Sequence, residues 1–560
     1  MYDLVIRNGV VIDGTGARRY MADVAVKGDR IAKIGRITEQ ARRKINADGS
    51  VVSPGFVDGH THMDAQIHWD PLGTCSCWHG VTTAVMGNCG FTLAPSRDKA
   101  RALVVRNLER AEDISAVAMS AGIKWEWETF PEYLDVVDRL PKGINFAANI
   151  GHSALRTWAM GERAFEAEAS EDELDMMTNQ VRMALRAGAW GFTTSRSRHH
   201  ATSDNRPVAS RLASWNEVRR LVNTAAAEGG IFEISREDNS ANPSGLQEDN
   251  ERLKALAVES GAPITFGLTG ALGNDWIEML NLLDQTVAAG GRMFGQSHSR
   301  GISILLSFET ILPFDRLPEW SKVRARPLAE QKKLLRDPAL RARLVQEAKN
   351  GNYGQSIGAD ARKPDWDALF VYDGPLPPFP LVSDLAKMRG LDPVDFMIEL
   401  SLEKDFKQFF LSYPGAAPNE EHLLRIMRHP HTVMTFSDSG AHVGQIIDSC
   451  IQTHLLSYWS RERGVFTLEE AVRMITQAPA HAWGLQDRGT IKEGMIADIN
   501  IFNPGTLSPG MPEVAHDLPG GARRLKMRAT GIQATIVAGK VLLENGEHTG
   551  CLPGALLRRK

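Results

Sequence analysis

"GFVDGHTHMDAQ", residues 55–66, sets two imidazoles one residue apart at the end of an apolar run. Side chains alternate faces along a strand, so His60 and His62 share a face and could grip one metal ion. Read alone, the pair is equally the polar end of a core strand running out into a loop. More donors stand at the ends of other apolar runs: Cys89 in "MGNCGF", His152 in "IGHSALR", Glu233 in "FEISRED", His298 in "GQSHSRG" and Asp438 in "TFSDSGAH". Imidazole, thiolate and carboxylate together form a zinc-type donor set. His68, His79, His199 and His200 read as hydrogen-bonding surface or loop histidines. Cys75 and Cys77, in "TCSCWHG", lack the two-residue gap of a zinc knuckle and read as packing residues.

These side chains can meet only if the runs before them are arranged side by side. The runs are "VVSPGFVDGH", "TTAVMGNCG", "INFAANIGH", "AWGFTTS", "GIFEISRE", "PITFGLTG", "RMFGQSH" and "TVMTFSDSG". Helix-like segments such as "SEDELDMMTNQVRMALRAG" separate several of them, which argues for parallel strands with helical crossovers. Eight such units fit an α/β fold of the (β/α)8 TIM-barrel type over residues 55–484, with a doubly wound open sheet as the competitor. Polar residues at so many strand ends favour the barrel, whose catalytic face is built there. Residues 1–54 and 485–560 alternate apolar and polar residues between glycine turns, and predict a small β-sandwich made by both chain ends. The stretch from about 301 to 430 is too long for a plain loop and predicts a helical insertion. Its charged segment Leu328–Asn350 is the expected cover over the barrel mouth.

The bulk properties exclude some partners. Formal net charge is -4, so no basic surface advertises nucleic acid. No apolar run approaches the roughly 20 residues that cross a bilayer, and the N-terminus "MYDLVIRNGVV" has no leader features. Five scattered cysteines argue against a disulfide framework and for a reducing cytoplasm. A small-molecule substrate is the expected partner, and a homo-oligomer is compatible with this composition.

"GFVDGHTHMD", "TTAVMGNCGF", "GHSALR", "TFSDSGAH" and the C-terminal "RGTIKEGMIADINIFNP" resemble the amidohydrolase superfamily. More narrowly they resemble its D-aminoacylase and N-acyl-D-aspartate/D-glutamate deacylase branch. That resemblance implies a zinc-dependent enzyme that hydrolyses a non-peptide amide C–N bond. It implies zinc held by His60, His62 and Asp438, with Cys89 binding or bridging, and Asp438 moving the water's proton to the leaving nitrogen. The fourth strand, "WGFTTSRSRHH", has no lysine, unlike the branches that use a carboxylated one.

The pattern breaks at two strands. The family places zinc-binding histidines at the ends of the fifth and sixth strands, where this chain has Ile234, beside Glu233, and Leu268. One tightly bound zinc is therefore expected, with Cys89 or Glu233 completing the shell. A site rebuilt around His298 or His152 is a second reading, and a fold that has lost hydrolysis and serves as a scaffold is a third. His152 or His298 is the expected stabiliser of the oxyanion. Arg198 and Arg300 are the favoured clamps for a substrate carboxylate. Hydrolysis of a cyclic amide, ester or lactone is the alternative chemistry on the same site.

Overall fold

The computed structural model describes residues 1–237, 242–268, 275–354, 356, 360, 362–413 and 417–560. Eight parallel strands close a barrel. In order they are Phe56–Thr61, Val81–Met86, Asn145–Ala148 with Ile150–Gly151, Gly191–Ser195, Ile231–Ser235, Pro263–Leu268, Arg292–Ser297, and Thr432–Met434 with Phe436–Ser439. The third and eighth strands are each broken by one residue, Asn149 and Thr435. Before its break the third strand pairs with the second, and after it with the fourth. The eighth likewise pairs first with the seventh and then with the first, where Phe436 lies opposite His60. Two half-barrel sheets thus share two strands and close on each other.

Helices flank the strands because their apolar residues recur at helical spacing and their starts are capped. Glu171–Arg186 begins at a capping box between Ser170 and Glu173, and Trp215–Ala227 at Ser214. Gly59, inside the first strand, is required by close packing. A Cβ there would stand 1.9 Å from Trp483 Nε1 and 2.7 Å from Thr435 Oγ1. The first strand is thereby seated against the eighth, one residue before His60.

Both chain ends enter one nine-stranded sheet. Ile499–Phe502 lies between Val51–Pro54 and Ile532–Val537, and Val51–Pro54 runs through Gly55 into the first barrel strand. Buried Asp498 rivets this sheet to the barrel. It accepts from Arg488 Nη1 at 2.9 Å, Asn145 Nδ2 at 3.0 Å and the Ala538 N–H at 2.8 Å. The insertion between the seventh and eighth strands carries helices, a three-stranded sheet and a core of its own. Its helix Pro338–Asn350 contributes Leu340, Leu344 and Val345 to that separate core, and Leu335, just after the helix Leu328–Leu334, joins it. It meets the barrel's loops through Leu305, whose N–H donates to Gln445 O at 2.7 Å, and through Asp360, 2.7 Å from Arg110 Nη2. Among the described residues no helix is long and apolar enough to cross a membrane.

Asp498→Ala removes the buried partner of Arg488, leaving its guanidinium only the half-exposed Asp487, 3.0 Å from Nε, and breaking such a buried pair costs up to about 3–5 kcal/mol. We expect a clear drop in Tm by calorimetry with no change in the site's donors. An unchanged Tm would show that the sheet and the barrel do not depend on this rivet.

Candidate metal centre

His60 and His62 emerge from the first strand, Cys89 from the turn after the second, and Asp438 from the eighth. His60 Nε2 stands 3.4 Å from Cys89 Sγ and 3.4 Å from Asp438 Oδ1, and His62 Nε2 stands 3.1 Å from Asp438 Oδ1. Donors bound at about 2.0–2.3 Å around a tetrahedral zinc lie roughly 3.3–3.6 Å apart, so this spacing suits one ion. His62 Nε2 and Asp438 Oδ1 approach closely, yet neither makes an aligned hydrogen bond. A cation shared between them would account for this approach.

The surrounding backbone holds the donors under strain. Cys89 and Asp438 have φ of 54° and 57°, a left-handed region that side chains with a Cβ seldom occupy. The Cys89 turn is held by its N–H, which donates to Glu233 Oε2 at 2.7 Å. After Asp438, Gly440 turns at φ 96°, and a Cβ there would lie 2.5 Å from His62 O. His60 is oriented by Gln296, whose Oε1 lies 2.5 Å from Nδ1. An amide oxygen only accepts, so Nδ1 carries the proton and Nε2 turns its lone pair to the cluster.

Electrostatics point the same way. Burial pushes the Cys89 thiol well above its usual value, and Glu233 and Glu112 push it further. Burial raises Glu233 and Glu112 to about 8 each. Burial disfavours a charged His62, but Glu112 and Asp438 outweigh it and lift the ring to about 9. Burial would also raise Asp438, yet His62 and His60 beside it hold its carboxyl below the ordinary range. The acidic groups around His62 thus favour added positive charge at this place.

Some expected site residues lie elsewhere. His152 is no oxyanion donor: its Nδ1 meets Thr194 Oγ1 at 2.8 Å and its Nε2 meets Glu217 Oε1 at 2.9 Å, so both nitrogens are engaged in a buried network with Arg156. His298 is likewise engaged with other partners. Its Nδ1 accepts from the Arg300 N–H at 3.1 Å and its Nε2 faces Asp448 Oδ2 at 3.5 Å. Arg300 is buried with Asp448 and Cys450, its Nε 3.7 Å from Asp448 Oδ1 and its Nη1 3.2 Å from Cys450 Sγ, so it is no open carboxylate clamp. Arg198 is exposed on the loop after the fourth strand. Glu233 approaches Cys89 Sγ and His60 Nδ1 only to 4.0 Å, and its geometry is that of a residue holding the cysteine turn. Ile234 and Leu268 are buried apolar residues. His79 is buried rather than superficial, bonded to Thr453 Oγ1 and Met527 O.

The sequence reading missed Glu112, His200 and His442. Glu112 Oε2 lies 3.5 Å from His62 Nε2 and 3.7 Å from His442 Nε2. His200, read as a loop histidine, has Nε2 4.0 Å from Glu112 Oε1. His442 was within reach of sequence reasoning, since it closes the "SDSGAH" turn four residues after Asp438. Glu112 and His200 had no such signal.

A parallel barrel with nitrogen, sulfur and oxygen donors gathered at the C-terminal ends of its strands has the architecture of a metal-dependent hydrolase. The chain belongs to the amidohydrolase family, whose model matches residues 43–543. Among curated proteins it is 25% identical to the D-aminoacylase of Alcaligenes xylosoxydans xylosoxydans, over 100% of this chain and 98% of that one. It is 27% identical to the N-acyl-D-glutamate deacylase of the same organism, over 100% and 96%. Among solved structures, an N-acyl-D-glutamate deacylase from Bordetella bronchiseptica, complexed with zinc and a phosphonate inhibitor, superposes with a TM-score of 0.65 at 23% identity, over 100% and 99% of the chains.

Gln296→Leu keeps the packing volume but frees the His60 ring. Loss of such an orienting partner typically weakens metal binding about 10–100-fold. Competition against a chromophoric chelator measures this, and wild-type affinity would remove Gln296 from the site's design.

Proposed function

We propose that this protein is a zinc-dependent deacylase that hydrolyses the amide bond of an N-acyl-amino acid, with the amino-acid part in the D configuration. The observation that carries the proposal is the gathering of His60, His62, Cys89 and Asp438, with His60 Nε2 3.4 Å from both Cys89 Sγ and Asp438 Oδ1 and His62 Nε2 3.1 Å from Asp438 Oδ1 without an aligned hydrogen bond. The N,N,S,O donor set suits zinc. The full-length relatives, named for D-aminoacyl and D-glutamate substrates, support the substrate class.

Held by His60, His62, Cys89 and Asp438, a zinc ion would supply Lewis acidity toward the scissile carbonyl and would lower the pKa of water toward neutrality. The chain's own residues do the rest. Asp438 is the most accessible donor, with 15% of its side chain open against 2% for His62 and 0% for His60. It is placed to take the attacking water's proton and pass it to the leaving nitrogen. Cys89 and His60 are buried and fix the cluster's geometry. Arg198 shares its loop with His200 and is the side chain we assign to the substrate carboxylate. The five cysteines are free, which supports work in a reducing cytoplasm.

Elemental analysis of the purified protein should find one tightly held zinc per chain, and a screen of N-acyl-D- and N-acyl-L-amino acids should find turnover mainly on the D series. Asp438→Asn keeps size and loses basicity, so kcat should fall at least about 100-fold. Near-normal turnover in that variant would take Asp438 out of the mechanism. A folded protein that stays metal-free and inert on both series would favour the scaffold reading.

A further inference from the structure

The donors described above stand at the C-terminal ends of the barrel strands. The opposite end holds a cleft of about 660 Å3 that their chemistry does not use. It opens among residues that precede or begin the fourth to seventh strands: Trp190, Ile231, Pro263 and Arg292. Residues beyond the helix Gln477–Ala482 reach it too, and the tail Leu556–Lys560 forms one wall. Its size is that of a small-molecule site, roughly 300–1,000 Å3. Its floor is apolar, because Trp190, Ile231, Trp483 and Leu485 form one cluster with Leu557 packed against it.

The tail is stitched down. The Ala555 N–H donates to Asn145 Oδ1 at 3.1 Å, the Leu557 N–H to Phe146 O at 2.7 Å and the Arg559 N–H to Gly188 O at 3.0 Å. Leu557 O accepts from Trp190 Nε1 at 2.7 Å. This register sends two consecutive arginines to different fates. Arg558 Nη2 pairs with Asp135 Oδ1 at 2.6 Å. Arg559 makes no ion pair among the described residues, and its Nη1 is buried without a hydrogen-bond partner. Its guanidinium lies against Gly229, where a Cβ would stand 2.7 Å from Nη2. Burial, and then the like charge of Arg292, pull its pKa down. Arg292 Nη2 donates to Gly261 O at 2.6 Å, and it too makes no ion pair among the described residues. Asp487 lines the same cleft, but Arg488 Nε takes its Oδ1 at 3.0 Å.

Two neighbouring guanidiniums repel, and leaving both unpaired above an apolar floor is costly unless an anion joins them. We propose that Arg292 and Arg559 form a binding site for an organic phosphate, with the phosphate group between the two guanidiniums and the apolar part on the floor beside Trp190. A phosphate dianion matches two fixed positive charges, and its oxygens accept from planar guanidinium forks. The tail's backbone bonds hold Arg559 in place before any ligand arrives, so little ordering is needed on binding. The cleft stands at the end of the barrel away from the metal donors, and the inference does not depend on the deacylase reading.

Calorimetric titration of the full-length protein with phenyl phosphate tests it, with inorganic phosphate as the arm that lacks an apolar part. Wild type should bind phenyl phosphate with a Kd below about 1 mM, and inorganic phosphate at least about 10-fold more weakly. Arg292→Ala and Arg559→Ala should each weaken phenyl phosphate at least about 10-fold, the scale of a lost charge-assisted bond. Phenylglyoxal modification of the wild type, mapped by mass spectrometry, is independent of how the variants fold. Phenyl phosphate should slow modification of Arg559 and leave the exposed Arg42 unaffected. A wild type that does not bind, variants that bind as tightly as wild type, or an unprotected Arg559 would each overturn the site. Equal affinity for inorganic phosphate would overturn the assignment of an organic ligand.

Discussion

Glu112, Glu233 and Asp438 are buried together around His60, His62 and Cys89, and among the described residues every ion pair they make is with a histidine. Carboxylates brought out of water and close to one another repel, and each loses its hydration. Arginine or lysine could have neutralised them, but the chain spends its buried guanidinium groups elsewhere: Arg156 on Glu217, Arg236 on Asp249, Arg488 on Asp498. Among the described residues no guanidinium or ammonium group pairs with Glu112, Glu233 or Asp438, where two imidazoles and a thiol also converge. A cation that binds nitrogen, oxygen and sulfur together would remove the repulsion and satisfy the orphaned atoms at once.

Much of the fold serves to keep that arrangement from relaxing. His60 sits one residue after Gly59, which lets the first strand close against Trp483 and Thr435. The strand's other end runs back into the sheet built by both termini, so the position of the imidazoles is fixed from outside the barrel as well. Cys89, Asp438 and His442 all adopt left-handed backbone conformations. Such strain persists only where neighbours over-determine it, and here Glu233, Gly440 and the Glu112 carbonyl do so. The break in the eighth strand at Thr435 turns Asp438 toward the first strand rather than the seventh.

The barrel was legible because its strands are apolar runs with polar ends and its crossovers carry helical spacing. His60, His62, Cys89 and Asp438 were legible for the same reason, since each lies at or just past the end of such a run. Position along a strand reveals which end of the barrel a residue occupies. It does not reveal the direction of a side chain once the strand has ended. His152 opens a helix and turns back to Glu217, and His298 turns to Asp448, though both follow strands as closely as the four proposed donors do. Glu112 and His200 were hidden for the opposite reason. "RAEDIS" and "RSRHH" are charged loop segments without periodicity, and they look like solvated surface until the chain folds them over the strand ends.

The central claim is that His60, His62, Cys89 and Asp438 hold one zinc ion with the thiolate as a direct ligand. X-ray absorption at the zinc K-edge, on protein loaded with a single equivalent, reads that shell most directly. The account predicts one sulfur scatterer at about 2.3 Å beside nitrogen and oxygen scatterers at about 2.0–2.2 Å. That sulfur contribution should vanish in Cys89→Ser. A wild-type shell made of nitrogen and oxygen alone would contradict the account.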